Sequence, residues 1–83
     1  MAVAGIILHA ESSRLQQVRA VVAAEKDMTI YGEHDNQYLV VVGEVPSAKL
    51  EDRIQSLEAV PGVLAVYTTY VNIEDEQGGQ VMP

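Results

Sequence analysis

Residues 59–76 read AVPGVLAVYTTYVNIEDE, and this stretch decides how the chain folds. A helix must end just before Pro61 and Gly62, because neither residue continues a helix. Residues 63–73 are rich in β-branched and aromatic side chains, which favour a half-buried strand. The acids at positions 74–76 follow that strand directly. The stretch therefore predicts a helix end, a long strand and an acidic edge, and it carries no residue pattern typical of a reaction centre.

The sequence before this stretch predicts three more strands. Residues 3–10 are almost continuously apolar, which indicates a central strand of a sheet. A second strand begins at residues 28–31, and a third covers residues 38–42. The residues between them, 34–37 (HDNQ), are typical of a turn, because Asp and Asn tolerate a left-handed backbone. These two strands should therefore pair as an antiparallel hairpin.

Two helices should connect the strands. Ser13 and Gln16 have the spacing of a capping box, which predicts that the first helix begins there and fades near residues 24–26. Pro46 should open the second helix, which ends before Pro61. Apolar side chains recur at helical spacing in both segments, namely Leu15, Val18 and Val22 in the first and Leu50, Ile54 and Leu57 in the second.

The predicted order is strand, helix, strand, strand, helix, strand. Two βαβ halves with right-handed crossovers build an α+β domain of the ferredoxin-like βαββαβ type. In this architecture a four-stranded antiparallel sheet carries both helices on one face. We expect a single domain over residues 1–77, followed by a disordered tail at residues 78–83.

Only one face of such a sheet is covered by the helices. Side chains alternate along a strand, so the first and fourth strands each divide their residues between the two faces. The bulkier set should face the helices: Ile6, Leu8, Leu64 and Val66, with Tyr70 in or beside the core. The open face should display Gly5, Ile7, His9, Ala65, Tyr67, Thr69 and Val71, joined by Tyr31 or its neighbour from the second strand. An exposed apolar sheet surface typically marks an interaction site.

The composition narrows the class of partner. Five Lys and Arg stand against twelve Asp and Glu, which gives a formal net charge of −7. Nucleic acids and anionic membranes require clustered bases, so neither is expected as a partner. The absence of Cys excludes disulfides and thiolate metal sites. The apolar runs are too short to cross a bilayer, so we expect a soluble, cytoplasmic protein without stable membrane insertion.

The acids are unevenly distributed along the chain. All five bases fall within or just beyond the two predicted helices, whereas the strands, their loops and the end of the domain carry acids. We expect an acidic rim around the open face, made by Glu33, Asp35, Glu74, Asp75 and Glu76. Such acids can serve solubility alone, or they can present a negative field to a cationic partner.

No catalytic or metal-binding pattern is present in the sequence. His9 and His34 do not have the spacing of metal ligands, so no metal and no other cofactor is expected. Ser13 has no histidine partner at an informative distance, and the glycines form no phosphate-binding loop. The prediction is a binding protein and not an enzyme.

The whole pattern resembles the NapD family of cytoplasmic chaperones. The resemblance covers about residues 3–77 and rests on 4–10 (AGIILHA), 37–42 (QYLVVV), Leu50, Ile54, 62–66 (GVLAV), Tyr70 and 74–77 (EDEQ). Residues 25–27 (EKD) depart from the family, which commonly has a glycine there. The resemblance implies that the partner is the twin-arginine signal peptide of the catalytic subunit of a molybdenum-dependent periplasmic nitrate reductase. It also implies binding on the open sheet face, and a delay of export until the enzyme has folded and received its molybdenum cofactor.

Two other functions fit the same fold. A stand-alone regulatory module of this type would oligomerise and bind a small effector such as an amino acid, and the sequence leaves the oligomeric state open. An acylphosphatase-like enzyme would need an arginine in a glycine-rich loop after the first strand. Residues 11–14 (ESSR) contain no glycine, which argues against that enzyme. Fold alone does not choose between such functions.

Overall fold

A computed structural model describes residues 2–73 of the chain, and it confirms the predicted ferredoxin-like α+β fold. The elements are β1 (Ala2–Ala10), α1 (Leu15–Ala23), β2 (Met28–His34), β3 (Tyr38–Val45), α2 (Leu50–Glu58) and β4 (Val63–Ile73). A short 3₁₀ turn precedes each helix, at Ser12–Arg14 and at Ser47–Lys49. The strands form one antiparallel sheet in the order β2-β3-β1-β4. Within residues 2–73, no helix has both the length and the apolar character needed to cross a membrane.

The core lies between the two helices and one face of the sheet. Along β1 every second side chain from Ala2 to Ala10 is buried, and the residues between them are partly exposed. The largest fully buried side chains come from β1, α1 and β3: Ile6, Leu8, Leu15, Val18, Val22, Leu39, Val41 and Val45. Burial of each such side chain contributes about 1.5–3 kcal/mol to folding. We call the covered side of the sheet the helix face and the opposite side the open face.

A tight turn joins α2 to β4 where the sequence predicted a helix end. The Val63 amide donates to the Val60 carbonyl at 3.0 Å, and Gly62 lies between them with a φ of +98°. Pro at the second position and Gly at the third are the residues that a type II turn requires. The Gly62 carbonyl also accepts a bond of 2.9 Å from the Glu11 amide. The turn thus holds the start of β4 against the end of β1.

The predicted capping box at the start of the first helix is wrong. Ser13 lies inside the 3₁₀ turn, and α1 begins two residues later at Leu15. Neither Glu11 before the turn nor Arg14 before the helix makes a side-chain capping bond. The chain enters the helix through a backbone bond of 2.9 Å from the Arg14 amide to the Glu11 carbonyl. The turn replaces the side-chain cap, because it satisfies a backbone group at the helix start.

Two irregularities in β4 change which side chains face the helices. Leu64 and Thr69 have no partner in β1, because the register shifts by one residue at each of them. Leu64 is 56% exposed, so its predicted place in the core is wrong. A bulge of one residue moves every later side chain to the opposite face. Tyr70 consequently lies opposite Gly5 on the open face, and Val71 lies opposite Ala4 on the helix face, the reverse of the prediction.

Arg53 on α2 joins that helix to the loop between α1 and β2. Its Nε donates to Asp27 Oδ2 at 2.8 Å, and its Nη2 donates to Asp27 Oδ1 at 3.0 Å and to Glu25 Oε1 at 2.6 Å. The hydrogen bond to Asp27 is the main cause that raises the pKa of Arg53, against the opposing effect of burial. The raised pKa means that this stabilisation is complete below the unfolded-state pKa of arginine and is lost only as pH rises through the folded-state value.

Arg53→Gln should lower the free energy of unfolding by about 1–2 kcal/mol, because it removes charge-assisted bonds from a side chain that is only 24% exposed. Urea denaturation would measure the change. Lys49→Gln is the matched control, since Lys49 is exposed and forms no ion pair with any residue between 2 and 73. The control should change stability by less than about 0.5 kcal/mol. Equal effects of the two substitutions would show that the Arg53 contacts do not stabilise the fold.

Candidate functional site

The open face is a grid of four rows that cross the strands. Residues paired directly across antiparallel strands place their side chains on the same face, so the register defines each row. From one end to the other, the rows are His34–Tyr38–His9–Ala65, then Gly32–Val40–Ile7–Tyr67, then Thr29–Val42–Gly5–Tyr70, then Glu44–Val3–Asn72. Neighbouring rows are two residues apart along a strand, which is about 7 Å. We call them the histidine row, the central row, the glycine row and the glutamate row.

An apolar depression lies between the central row and the histidine row. It has a volume of about 470 Å³ and is lined by Ile7, His34, Tyr38, Val40 and Tyr67. All four strands contribute to it, so the pairing of the whole sheet shapes it. Tyr67 and Val40 are 53% and 40% exposed. Exposed apolar surface with this concave shape is suited to binding an apolar side chain of a partner.

Beyond the depression the surface is low at Gly5. A Cβ atom at this position would lie 2.9 Å from Thr69 Oγ1 and 3.4 Å from Tyr70 Cβ. The bulge thus turns the Thr69 side chain towards the open face, where it was predicted, and brings Tyr70 to the same face. Gly5 is needed there, because a larger residue would displace the Thr69 hydroxyl. The glycine row therefore combines a small residue with a polar hydroxyl and an aromatic ring.

His9 holds the aromatic wall of the depression in place. Its ring stacks on that of Tyr38 with the centroids 4.7 Å apart and an angle of 23° between the planes. His9 Nε2 also donates to Gln37 Oε1 at 3.0 Å. These contacts give His9 a packing role beside the depression. In residues 2–73, no group of three or more His, Cys, Asp or Glu side chains could hold a metal ion.

The open face carries negative charge but no Lys or Arg. Its four rows contain Glu44 and no Lys or Arg. All five bases of the chain lie on the helices or in the turns beside them. Asp35 lies in the turn between β2 and β3, where it and Asn36 have φ values of 52° and 56°. The uneven distribution of bases that the sequence indicated is therefore present in the fold.

Glu33 does not belong to the acidic rim predicted from the sequence. It lies opposite Leu39, whose side chain is buried on the helix face. From there its Oε1 accepts a bond of 2.8 Å from Arg19 Nη1 on α1. The acid is thus already neutralised within the chain. The other predicted rim residues at positions 74–76, like the predicted tail at 78–83, lie outside the described residues.

Tyr31 is exposed but belongs to no row. The register of β2 with β3 shifts between Ile30 and Gly32, which leaves Tyr31 without a partner. Its exposed fraction is 70%, and it does not line the depression. Its neighbour Gly32 lies next to Val40 in the central row. The place of the Tyr31 side chain on the open face therefore stays a prediction.

The sequence matches the NapD protein family over residues 1–75. The chain belongs to the NapD family. Its fold is similar to the solution structure of the E. coli Tat proofreading chaperone protein NapD, with a TM-score of 0.73 and 28% sequence identity. That match covers 98% of this chain and 85% of the other. No match was found among curated proteins.

Membership in the NapD family supports a chaperone role for the chain. It also favours a binding protein over an enzyme. In this NapD family member, the structure brings Ile7, His9, Ala65 and Tyr67 together on the open face, as the alternation of β1 and β4 predicted. The sequence-based prediction missed the residues that β3, the end of β2 and the bulge contribute: His34, Tyr38, Val40, Val42, Glu44 and Tyr70. Alternation along β3 would have found four of them.

Proposed function

We propose that this protein binds, on its open face, the twin-arginine signal peptide of the catalytic subunit of a molybdenum-dependent periplasmic nitrate reductase. The observation that carries the proposal is the apolar depression at Ile7, Val40 and Tyr67, on a sheet face whose rows contain no Lys or Arg. A leader of this class has a basic start followed by an apolar run. The apolar run would fill the depression, and the arginines would meet a surface that does not repel them.

A helical peptide lying on the open face of the sheet is the geometry we favour. Such a helix satisfies its own backbone groups, so it needs only side-chain contacts with the open face. The central row offers an apolar surface on which one stripe of the helix would rest, made by Tyr67, Ile7 and Val40. Addition of an extended peptide to an edge strand is the competing geometry, and β2 and β4 are the edges of the sheet.

The consequence for the client enzyme is a delay of export. While the chaperone covers the arginine motif in the cytoplasm, the export machinery cannot recognise that motif. The enzyme then has time to fold and to receive its molybdenum cofactor. The cofactor belongs to the client, and this chain needs none for the role. Membership in the NapD family and the similarity to a Tat proofreading chaperone support this proposal.

Calorimetry with a synthetic twin-arginine leader tests the proposal directly. We expect a dissociation constant in the micromolar range, which corresponds to about −8 kcal/mol. A peptide with both arginines changed to lysine should bind at least about fivefold more weakly, because lysine lacks the planar fork that pairs with a carboxylate. A control peptide that keeps the arginines but has serine in place of its apolar residues should not bind measurably. Absence of binding by the native leader would overturn the proposed function.

A further inference from the structure

The two ends of the open face differ in charge. The glutamate row ends the sheet on one side, with Glu44 beside Val3 and Asn72. The histidine row ends it on the other, with His34 and His9 on either side of Tyr38. Between these ends, the central and glycine rows contain no charged residue. The surface is therefore asymmetric along the direction of the strands, with a carboxylate at one end and imidazoles at the other.

Glu44 has no partner that would explain it as part of the fold. It is exposed and forms no ion pair with the bases in residues 2–73. Its amide donates to the Asp27 carbonyl at 2.8 Å, which extends the pairing of β3 to the residue just before the start of β2. β3 is an inner strand of the sheet, so the charge does not serve to protect an exposed edge from aggregation. A strand position also fixes the side chain on the open face.

Among residues 2–73, Asp35 is the competing acid at the opposite end of the open face. It lies in the β2–β3 turn, beyond the last pair of the hairpin, and it directly follows His34 in the chain. Its position in a turn does not place its carboxylate on the open face, unlike the position of Glu44 in the glutamate row.

We infer that Glu44 is the carboxylate that receives the arginines of the bound peptide, and that it sets the direction in which the peptide lies. The basic start would cover the glutamate row, and the apolar run would point over the central row towards Tyr38. This inference rests on the proposed function. It adds the residue that pairs with the arginines and the direction in which the peptide lies. Bidentate pairing with a carboxylate also explains why arginine would be preferred to lysine at that place.

The positions in β3 give the spacing that the peptide must have. Val40 is four residues from Glu44 and Tyr38 is six, so the depression begins about 13 Å from the carboxylate position and ends about 20 Å from it. A helix that runs along the strands rises about 1.5 Å per residue, which places its apolar anchors about 9–13 residues after the arginines. An extended peptide would need only about 4–6 residues. The spacing thus separates the two binding geometries.

Binding of the twin-arginine peptide to Glu44→Gln tests the assignment. Measured by calorimetry at low salt, affinity should fall about fivefold, and the preference for the arginine over the lysine peptide should disappear. Glu58→Gln removes the same charge from an exposed position at the end of α2 and should leave affinity within about twofold. Asp35→Asn should also remain within about twofold, because it lies at the other end of the face.

A nitroxide spin label at the N-terminus of the peptide reports the direction of the bound peptide independently of the affinity measurements. It should broaden the amide resonances of Val3 and Glu44 more than those of His34 and Tyr38. If wild-type protein binds no leader peptide, the proposed function itself fails. If the peptide binds but Glu44→Gln behaves as wild type, or Asp35→Asn loses as much affinity, the assignment of Glu44 is wrong. Stronger broadening at His34 would likewise overturn the proposed direction.

Discussion

Ile7→Lys is expected to weaken binding of the twin-arginine peptide by more than about 100-fold while the protein stays folded. Ile7 lies at the centre of the open face, between Val40 and Tyr67, and lines the depression. Loss of its burial against the peptide removes about 1.5–3 kcal/mol, and the new ammonium group repels a cationic leader. A factor of 100 corresponds to about 2.7 kcal/mol, so the two effects together are sufficient. Calorimetry measures the affinity.

The fold should tolerate this change because Ile7 points away from the core. Its side chain is partly exposed, whereas its neighbours Ile6 and Leu8 are buried on the helix face. Circular dichroism should therefore remain native. Val21→Lys is the matched control: Val21 is a 43% exposed apolar residue on α1, so the same charge enters away from the open face. Native-like affinity of a folded Ile7→Lys variant, or an equal loss in the control, would move the binding site elsewhere.

Gly62→Ala is expected to lower the free energy of unfolding by about 2 kcal/mol or more. Its φ of +98° is a conformation that a residue with a Cβ atom adopts only with strain. The added Cβ would also lie 2.8 Å from Arg14 Cβ and 3.1 Å from Val18 Cγ2. Arg14 Cβ is attached directly to the backbone, so it cannot move without shifting the start of α1. Urea denaturation followed by circular dichroism measures the loss.

Gly32→Ala is the control for this substitution. A Cβ at Gly32 meets no atom within 4 Å, and Gly32 is not among the glycines with positive φ. Alanine there should leave stability unchanged or raise it by up to about 1 kcal/mol, because it reduces the freedom of the unfolded chain. A Gly62→Ala variant as stable as Gly32→Ala would contradict the view that this turn requires glycine.

The order of elements could be predicted because each depends on a local pattern. In β1 every second residue is buried, and the sequence shows it as a continuous apolar run that ends at Ala10. Pro61 and Gly62 act through their own backbone restrictions, so they end the second helix whatever surrounds them. Ile7 and Tyr67 were placed correctly on the open face for the same reason. Between Ala65 and Thr68, β4 alternates without interruption and pairs in step with β1.

The amino-acid sequence by itself therefore determined the strand and helix order, the split of β1 into two faces, and the confinement of all five bases to the helices and adjoining turns. Only the tertiary structure decided the faces of Tyr70 and Val71, because the bulge at Thr69 is a property of two paired strands. The ion pair of Glu33 with Arg19 and the exposed position of Glu44 were decided in the same way. Each depends on residues far apart in the chain. A pattern along a single segment does not indicate which distant residues lie next to that segment in the fold.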